Sequence, residues 1–441
     1  MNAIVIRGVL VGALAGLLFG FDTAVIAGVT RGLTSVYHLS PASLGITVSS
    51  ALWGTLAGAL LAGAPGDRFG ARECLKWIAV LYVVSAAGCA LAWSWPSLLL
   101  FRVMAGLAIG ASTVLAPVYM AEIAPPKWRG AMVGMFQFNI TFGILVAYLC
   151  NYLIGTLELG ADEWRWKFSI AFAPGIILFS LLFTIPQSPR WLALRGRRDE
   201  ARDILRRIAP GISQSEEDAI LLDQPAGTKT KRLSWSKYRT PILLAFAIAA
   251  FNQLAGINAI LYYINDIFAA AGFSKVSSDQ QSILIGLTNL LFTIPALMII
   301  DRIGRKSLLL IGSVGLFVTL VGTAIIMYSG QHQNLLLWML IGFIGSFAFS
   351  QGAVIWVYIS EIFPTEVRAR GQSIGSSTHW FMDAVIAILF PVAAAYSKGA
   401  PFVFFAAMVV LQFIVVLFFF PETKRAALED ISAIVQAAPP A

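Results

Sequence analysis

The stretch FNQLAGINAILYY, Phe251 to Tyr263, sits within an apolar run that extends from Thr240 to Phe268. A segment that long and apolar reads as a membrane span, which needs about 20 residues. Yet it carries Asn252, Gln253, Asn258, Tyr262 and Tyr263 around a central Gly256. At about 100° per residue on one straight helix, Asn252, Gly256 and Tyr263 share a side, Gln253 flanks them and Asn258 points away from both. A straight helix therefore cannot aim both amides at one ligand. A helix that unwinds or kinks at Gly256 can, as broken helices do at the mid-membrane sites of transporters. The same amides would also serve as hydrogen-bond partners between neighbouring helices. Amides, tyrosines and a glycine packed this closely point to a lined polar cavity.

The rest of the chain fits a membrane setting. Of 441 residues, 58% are hydrophobic and 12% charged, with a mean hydropathy of +0.79, far from the roughly 25% charged usage of soluble domains. The first apolar run, Gly8 to Val29, is long enough to span and is followed by further spans, so it reads as a retained helix rather than a cleaved signal. Cys74, Cys89 and Cys150 form no disulfide or metal-binding pattern and read as small packing residues. Asn139, Ile140 and Thr141 match a glycosylation signal but fall within a span, where the match is coincidental.

Twelve spans are expected, at approximately 8 to 29, 45 to 66, 73 to 93, 97 to 120, 131 to 154, 168 to 186, 240 to 268, 281 to 301, 307 to 328, 335 to 360, 371 to 396 and 400 to 420. With both termini cytoplasmic, 25 of the 31 Lys and Arg fall on the inner side, counting Lys76 at the inner end of span three, and 5 on the outer, and Arg102 deeper within a span completes the count. The positive-inside rule fixes that orientation, so the net charge of +8 is a topology signal and not a nucleic-acid footprint. The one long connection, Gln187 to Arg239, contains RGRRDEARDILRRI, whose Ala201, Ile204, Leu205 and Ile208 follow helical spacing. Short amphipathic cytoplasmic helices are expected there, followed by a charged stretch from Ser215 to Asp223 and a basic linker from Thr228 to Lys237.

The chain also repeats itself. GDRFGAR (66 to 72) returns as DRIGRK (301 to 306), AEIAPPKWRG (121 to 130) as SEIFPTEVRARG (360 to 371), and PQSPR (186 to 190) as PETKR (421 to 425). Each motif lies just past the inner end of a corresponding span. The chain is therefore expected to be all-α and integral to the membrane, with twelve transmembrane helices in two pseudo-symmetric six-helix halves. Residues 1–186 form the first half, 187–239 a cytoplasmic linker, 240–420 the second half and 421–441 a short cytoplasmic tail.

In that order, these motifs resemble the sugar porter family of the major facilitator superfamily, which includes bacterial sugar/proton symporters and facilitative glucose carriers. The resemblance also rests on FGFDTAVIAG (19 to 28), FRVMAGLAIG (101 to 110), QFNITFG (137 to 143), PQSPRWL (186 to 192), QLAGINAILYY (253 to 263), WVYISEIFP (356 to 364) and PETK (421 to 424). It implies a proton-coupled or facilitative carrier of hexoses or pentoses, cycling by alternating access without a prosthetic cofactor. It further implies a cytoplasmic latch of Arg72, Glu122, Arg129, Arg190, Arg305, Glu361 and Arg368, bridging the halves when the carrier faces outward. The departures are Asn252, where the family usually has a glutamine, and Gln187, where it has a glutamate. Ala353 and Ile355 stand where span ten usually has prolines, which puts its local kink in question. His379 and Asp383 stand where the family tends to have amides.

Sugars are neutral and studded with hydroxyls, so their site needs paired donors and acceptors with an aromatic face. Gln137, Gln253, Asn258, Asn289 and Trp356 supply that chemistry, and His379 and Asp383 on span eleven join them as candidate substrate-binding residues. Asp383 is about twelve residues from the inner face, roughly 18 Å at 1.5 Å per residue, near the bilayer centre. There a carboxylate is expected to be protonated or bonded to a partner, whether a sugar hydroxyl or a structural group. Asp22 and Arg102 lie at similar depth, roughly 7 to 11 Å below the outer surface, and are the candidate proton-coupling pair. The family pattern favours this, because proton-coupled members have Asp at the FGFD position. A structural bridge is the alternative.

Other classes fit less well. An organic-anion carrier would place a free Lys or Arg at mid-membrane, whereas Arg102 has Asp22 available. A multidrug/proton antiporter would show abundant aromatics and few amides. A membrane sugar sensor would need a signalling element, and only a 21-residue tail follows Phe420. An enzyme is disfavoured because His38, His332 and His379 give no triad or metal spacing. The expected partners are therefore a small-molecule sugar, a proton and the lipid bilayer, with no nucleic acid. The protein is expected to be a monomer in a bacterial inner membrane.

Overall fold

The computed structural model describes residues 3–124, 129–210, 212, 214, 217, 233–364 and 367–424. Among these residues every regular element is helical. Among the described residues, eleven helical stretches are long and apolar enough to cross a membrane. The span expected at 281 to 301 is the 29-residue helix Lys275–Ile303. Between Phe251 and the C-terminal Phe419 the sequence-derived spans are matched in order, although the helix of span seven starts at Trp235, five residues earlier than expected.

The chain divides into two compact units. One comprises Met1–Val25, Trp53–Cys150 and Asp162–Lys229, the other Ile26–Leu52, Asn151–Ala161 and Thr230–Ala441. In the first, Ala71–Ala90 packs along Trp95–Ile123 and Phe172–Leu182, and Ala3–Val25 lies against Trp95–Ile123. Gly20 makes a close approach possible: a Cβ there would sit 1.9 Å from the Ile140 carbonyl oxygen. In the second, Arg305–Ser329 packs on Ala400–Phe419 and Leu336–Phe349, and Trp235–Leu254 on Arg368–Tyr396. Its core is built from Tyr238, Ala245, Ile248, Val354, Tyr358 and Phe363. Ile311, Val314, Val318 and Ile325 form an exposed apolar stripe at helical spacing on the opposite face of Arg305–Ser329, as a lipid-facing surface requires.

The linker folds as its periodicity indicates. Pro189–Leu194 and Arg198–Ile208 are helices. Ala201, Leu205 and Ile208 are buried, with Ile204 packed against Leu192, Ala201 and Leu205. Of the charged stretch from Ser215 to Asp223 only Glu217 is described, and it pairs with Arg206 at 2.7 Å. Of the basic linker, residues 228–232 lie outside the described residues, as do residues 425–441 of the tail.

Two spans break where polar chemistry dictates. Trp235–Leu254 stops, Gly256 takes φ +90°, and a short helix Ile257–Tyr262 follows before a second break at Tyr263 and the helix Ile264–Ala270. Span ten breaks at Ser350 (φ −116°, ψ −86°), between Leu336–Phe349 and Gln351–Glu361. The kink therefore exists without the prolines at 353 and 355. Ser350 Oγ donates to the Ser346 carbonyl at 2.6 Å, the back-bonding that bends helices.

Gly256 has no room for a side chain, since a Cβ would lie 2.3 Å from the Phe405 ring. Gly256→Ala is expected to cost about 1 to 2 kcal/mol in left-handed backbone and about 1 to 3 kcal/mol more in overpacking. A lowered melting temperature in detergent checks this. An unchanged one would mean that the break is not needed for stability.

Candidate functional site

The break at Gly256 sets the register of the residues on either side of it. Gln253, in the last turn before the break, is buried, whereas Asn258, just after it, is partly exposed. Asn258 Nδ2 donates to Gln253 Oε1 at 3.2 Å and to Asp383 Oδ2 at 2.8 Å. Both amides thus meet on one side, which a straight helix forbids. Gln253 Nε2 donates to Asn252 Oδ1 at 3.2 Å and lies 3.2 Å from a ring nitrogen of His379. The His379 ring stands 5.1 Å from that of Trp356, a partly exposed aromatic surface on the helix after the Ser350 break.

Span eleven, Arg368–Tyr396, supplies His379 and Asp383 one turn apart. Asp383 is 1% exposed. Its Oδ2 also accepts from the Tyr262 hydroxyl at 3.0 Å, while its Oδ1 is buried and accepts nothing from the described residues. Tyr262 was legible as part of the polar stretch but not as the partner of Asp383, because only the break turns it there. Its neighbour Tyr263 stacks on Phe390 at 5.1 Å and donates to the Ala387 carbonyl. Gln253, Asn258, Trp356, His379 and Asp383 are thus brought together. Asn289 is buried on Lys275–Ile303, and no hydrogen bond links its side chain to this cluster among the described residues. Gln137, partly exposed, is carried by Arg129–Gly155 in the first unit.

The first unit holds the second charged feature. Arg102 Nη1 donates to Asp22 Oδ1 at 2.7 Å, and both groups are buried. The equal depth read from the spans corresponds to a direct ion pair. The guanidinium lies 5.6 Å from the centre of the Phe168 ring, and its Nε is buried with no acceptor among the described residues.

The repeat motifs form analogous but unequal structures. Arg305 pairs with Glu361 at 2.7 Å and with Asp301 at 2.8 Å, and Thr423 Oγ1 donates to Glu361 Oε2 at 2.6 Å. Glu422 accepts backbone N–H bonds from Arg305, Lys306, Thr423 and Lys424 at 2.9 to 3.1 Å, capping the N-terminus of Arg305–Ser329 with negative charge. At the equivalent place in the first half, Gln187 accepts from Ser188 N at 3.1 Å and donates to the Phe69 carbonyl at 3.5 Å. Arg72 pairs with Glu73 and donates to the Ile185 carbonyl. Glu122 lies beside Ser188 and Arg190, and Arg368 donates to the Phe363 carbonyl at 3.3 Å. The side chain of Arg129 lies outside the described residues. An ion pair the sequence reading missed joins Arg31 to Asp266 at 3.6 Å. Its members are far apart in sequence and in no repeated motif.

A family model for sugar and other transporters matches residues 8–435. The D-xylose-proton symporter of Escherichia coli is 33% identical over 465 residues, covering 96% of this chain and 94% of that protein. The glucose facilitated diffusion protein of Zymomonas mobilis is also 33% identical, over 463 residues, covering 98% and 97%. The solved inward open conformation of the xylose transporter XylE from Escherichia coli superposes with a TM-score of 0.87 at 31% identity, covering 98% of this chain and 99% of that one. The fold is therefore the twelve-helix major facilitator fold, and the chain belongs to the sugar transporter family. It is an integral membrane protein of a class that moves sugars across membranes rather than converting them.

The Glu422 cap and its neutral counterpart Gln187 yield a paired test. Glu422→Gln is expected to destabilise the folded protein by about 1 to 3 kcal/mol, whereas Gln187→Glu, which adds charge at the start of Ala71–Ala90, is expected to stabilise it by about 0.3 to 1 kcal/mol. Thermal unfolding of both variants in detergent reads the two signs, and equal effects would refute the capping role.

Proposed function

We propose that this protein is a proton-coupled symporter of a monosaccharide, hexose or pentose, that works by alternating access between the halves 1–186 and 240–420. It acts as a monomer in a bacterial inner membrane, with both termini cytoplasmic. The observation that carries the coupling is the buried Asp22 to Arg102 pair at 2.7 Å. A rocking motion that parts the two helices breaks this pair and opens Asp22 to the transported proton, and the return motion restores the pair. The resemblance to the D-xylose-proton symporter supports the same reading.

Sugar hydroxyls are held by Gln253 and Asn258 with Trp356, His379 and Asp383, and Gln137 and Asn289 complete the site. Arg72, Glu122, Arg129, Arg190, Arg305, Glu361 and Arg368 form the inner latch. Exposed pairs contribute only about 0 to 1 kcal/mol each, so several must act together to bias the two states. The second reading is a facilitative uniporter in which Asp22 and Arg102 form a permanent bridge. The equal identity to a facilitated diffusion protein favours it.

Purified protein in liposomes under an inward proton gradient separates the two. The symporter accumulates its sugar above equilibrium and Asp22→Asn only equilibrates it; wild-type protein that merely equilibrates is a uniporter. At the sugar site, folded Gln253→Ala is expected to bind more weakly by about 1 to 3 kcal/mol, as for losing one partner of a buried hydrogen bond. Wild-type affinity in a titration with the carried sugar would remove Gln253 from the site.

A further inference from the structure

Asp383 is a buried charge of the second unit, 1% exposed, with no ion-pair partner among the described residues. Its two hydrogen bonds come from neutral groups, the Asn258 amide and the Tyr262 hydroxyl, and both fall on Oδ2. Oδ1 is buried with no hydrogen-bond partner among the described residues. Hydrogen bonds from an amide and a phenol lower the cost of burying a carboxylate but do not cancel its charge. A proton on Oδ1 would have no acceptor. One on Oδ2 would have to be shared with Tyr262, because Asn258 Nδ2 can only donate. His379, one turn away, has its ring against Gln253 and Trp356 rather than against this carboxylate.

From this we infer that the site selects a cationic sugar, an amino sugar whose ammonium group pairs with Asp383. The inference rests on the carrier reading above and narrows its substrate class. Asn258 marks the way in, being partly exposed and donating to both Asp383 Oδ2 and Gln253 Oε1. An incoming ammonium takes the place of that amide on the carboxylate, and the amide keeps its bond to Gln253. The ammonium supplies hydrogen-bond donors and the missing positive charge at once, which a hydroxyl cannot. The sugar's remaining hydroxyls meet Gln253 and Asn258, and the partly exposed Trp356 offers an aromatic face to the ring. No bond is made or broken.

The test is exchange of radiolabelled sugars across liposomes containing the full chain, using D-glucose against its 2-amino, 3-amino and 6-amino deoxy analogues. Each pair differs by one amine for one hydroxyl. For at least one position, the amino sugar is expected to be preferred by tenfold or more. Asp383→Asn is expected to cut the ratio of amine to hydroxyl preference at least tenfold, and Asp383→Glu to retain it. Should Asp383→Asn fail to fold, the wild-type preference must itself decline as pH is raised through the titration of the sugar amine. The inference is overturned if the hydroxyl sugar is preferred at every position or if Asp383→Asn leaves the ratio unchanged. Exchange of neutral sugars alone would overturn the amine assignment and leave the carrier intact, whereas exchange of no sugar at all would overturn both.

Discussion

Inside roughly 30 Å of hydrocarbon, every backbone N–H, amide and carboxylate must find its partner within the protein. That constraint organises this molecule. It makes an unwound turn tolerable only where the freed polar groups are put to use, and the turn at Gly256 meets that condition. The chain there adopts a left-handed conformation. The amides on either side, Gln253 and Asn258, then meet each other and the carboxylate of Asp383. The same rule explains why Asp22 and Arg102, on different helices, are found together. It also explains why Gln351 and Gln412 bond one another deep in the second unit.

The two charged centres differ in kind. Asp22 is paired with a fixed cation, Arg102, on another helix. Asp383 accepts only from neutral donors among the described residues, and its inferred compensation comes from the ligand that binds there. A transporter that couples two solutes needs at least one group whose protonation follows conformation and one that reports the presence of substrate. The separation of these two carboxylates, one in each unit, fits that division of labour.

Much of this was legible in the sequence, for identifiable reasons. Span length, the positive-inside bias and the repeated DRxGR-like, SEI-like and PET-like motifs are long-range regularities, and they gave the helical order without any contact being known. The break in span seven was readable because a glycine interrupts amides that would otherwise diverge. The break in span ten was not, since it falls at Ser350, whose hydroxyl bonds back to Ser346, with no proline at 353 or 355 to mark it. Tyr262 as the partner of Asp383, and Arg31 as the partner of Asp266, depend on how distant segments are brought together. Asn289 carries the right chemistry in a span, and among the described residues no hydrogen bond links its side chain to the cluster.

The central claim is that a buried acid on span one binds transport of a sugar to movement of a proton. It is tested most directly by following the external pH of a lightly buffered suspension of energy-depleted cells that express the protein, while a transported sugar is added. The account predicts that sugar entry makes the medium more alkaline, and that Asp22→Asn abolishes this change while the protein remains in the membrane. Sugar entry at an undiminished rate with no change in external pH would contradict it.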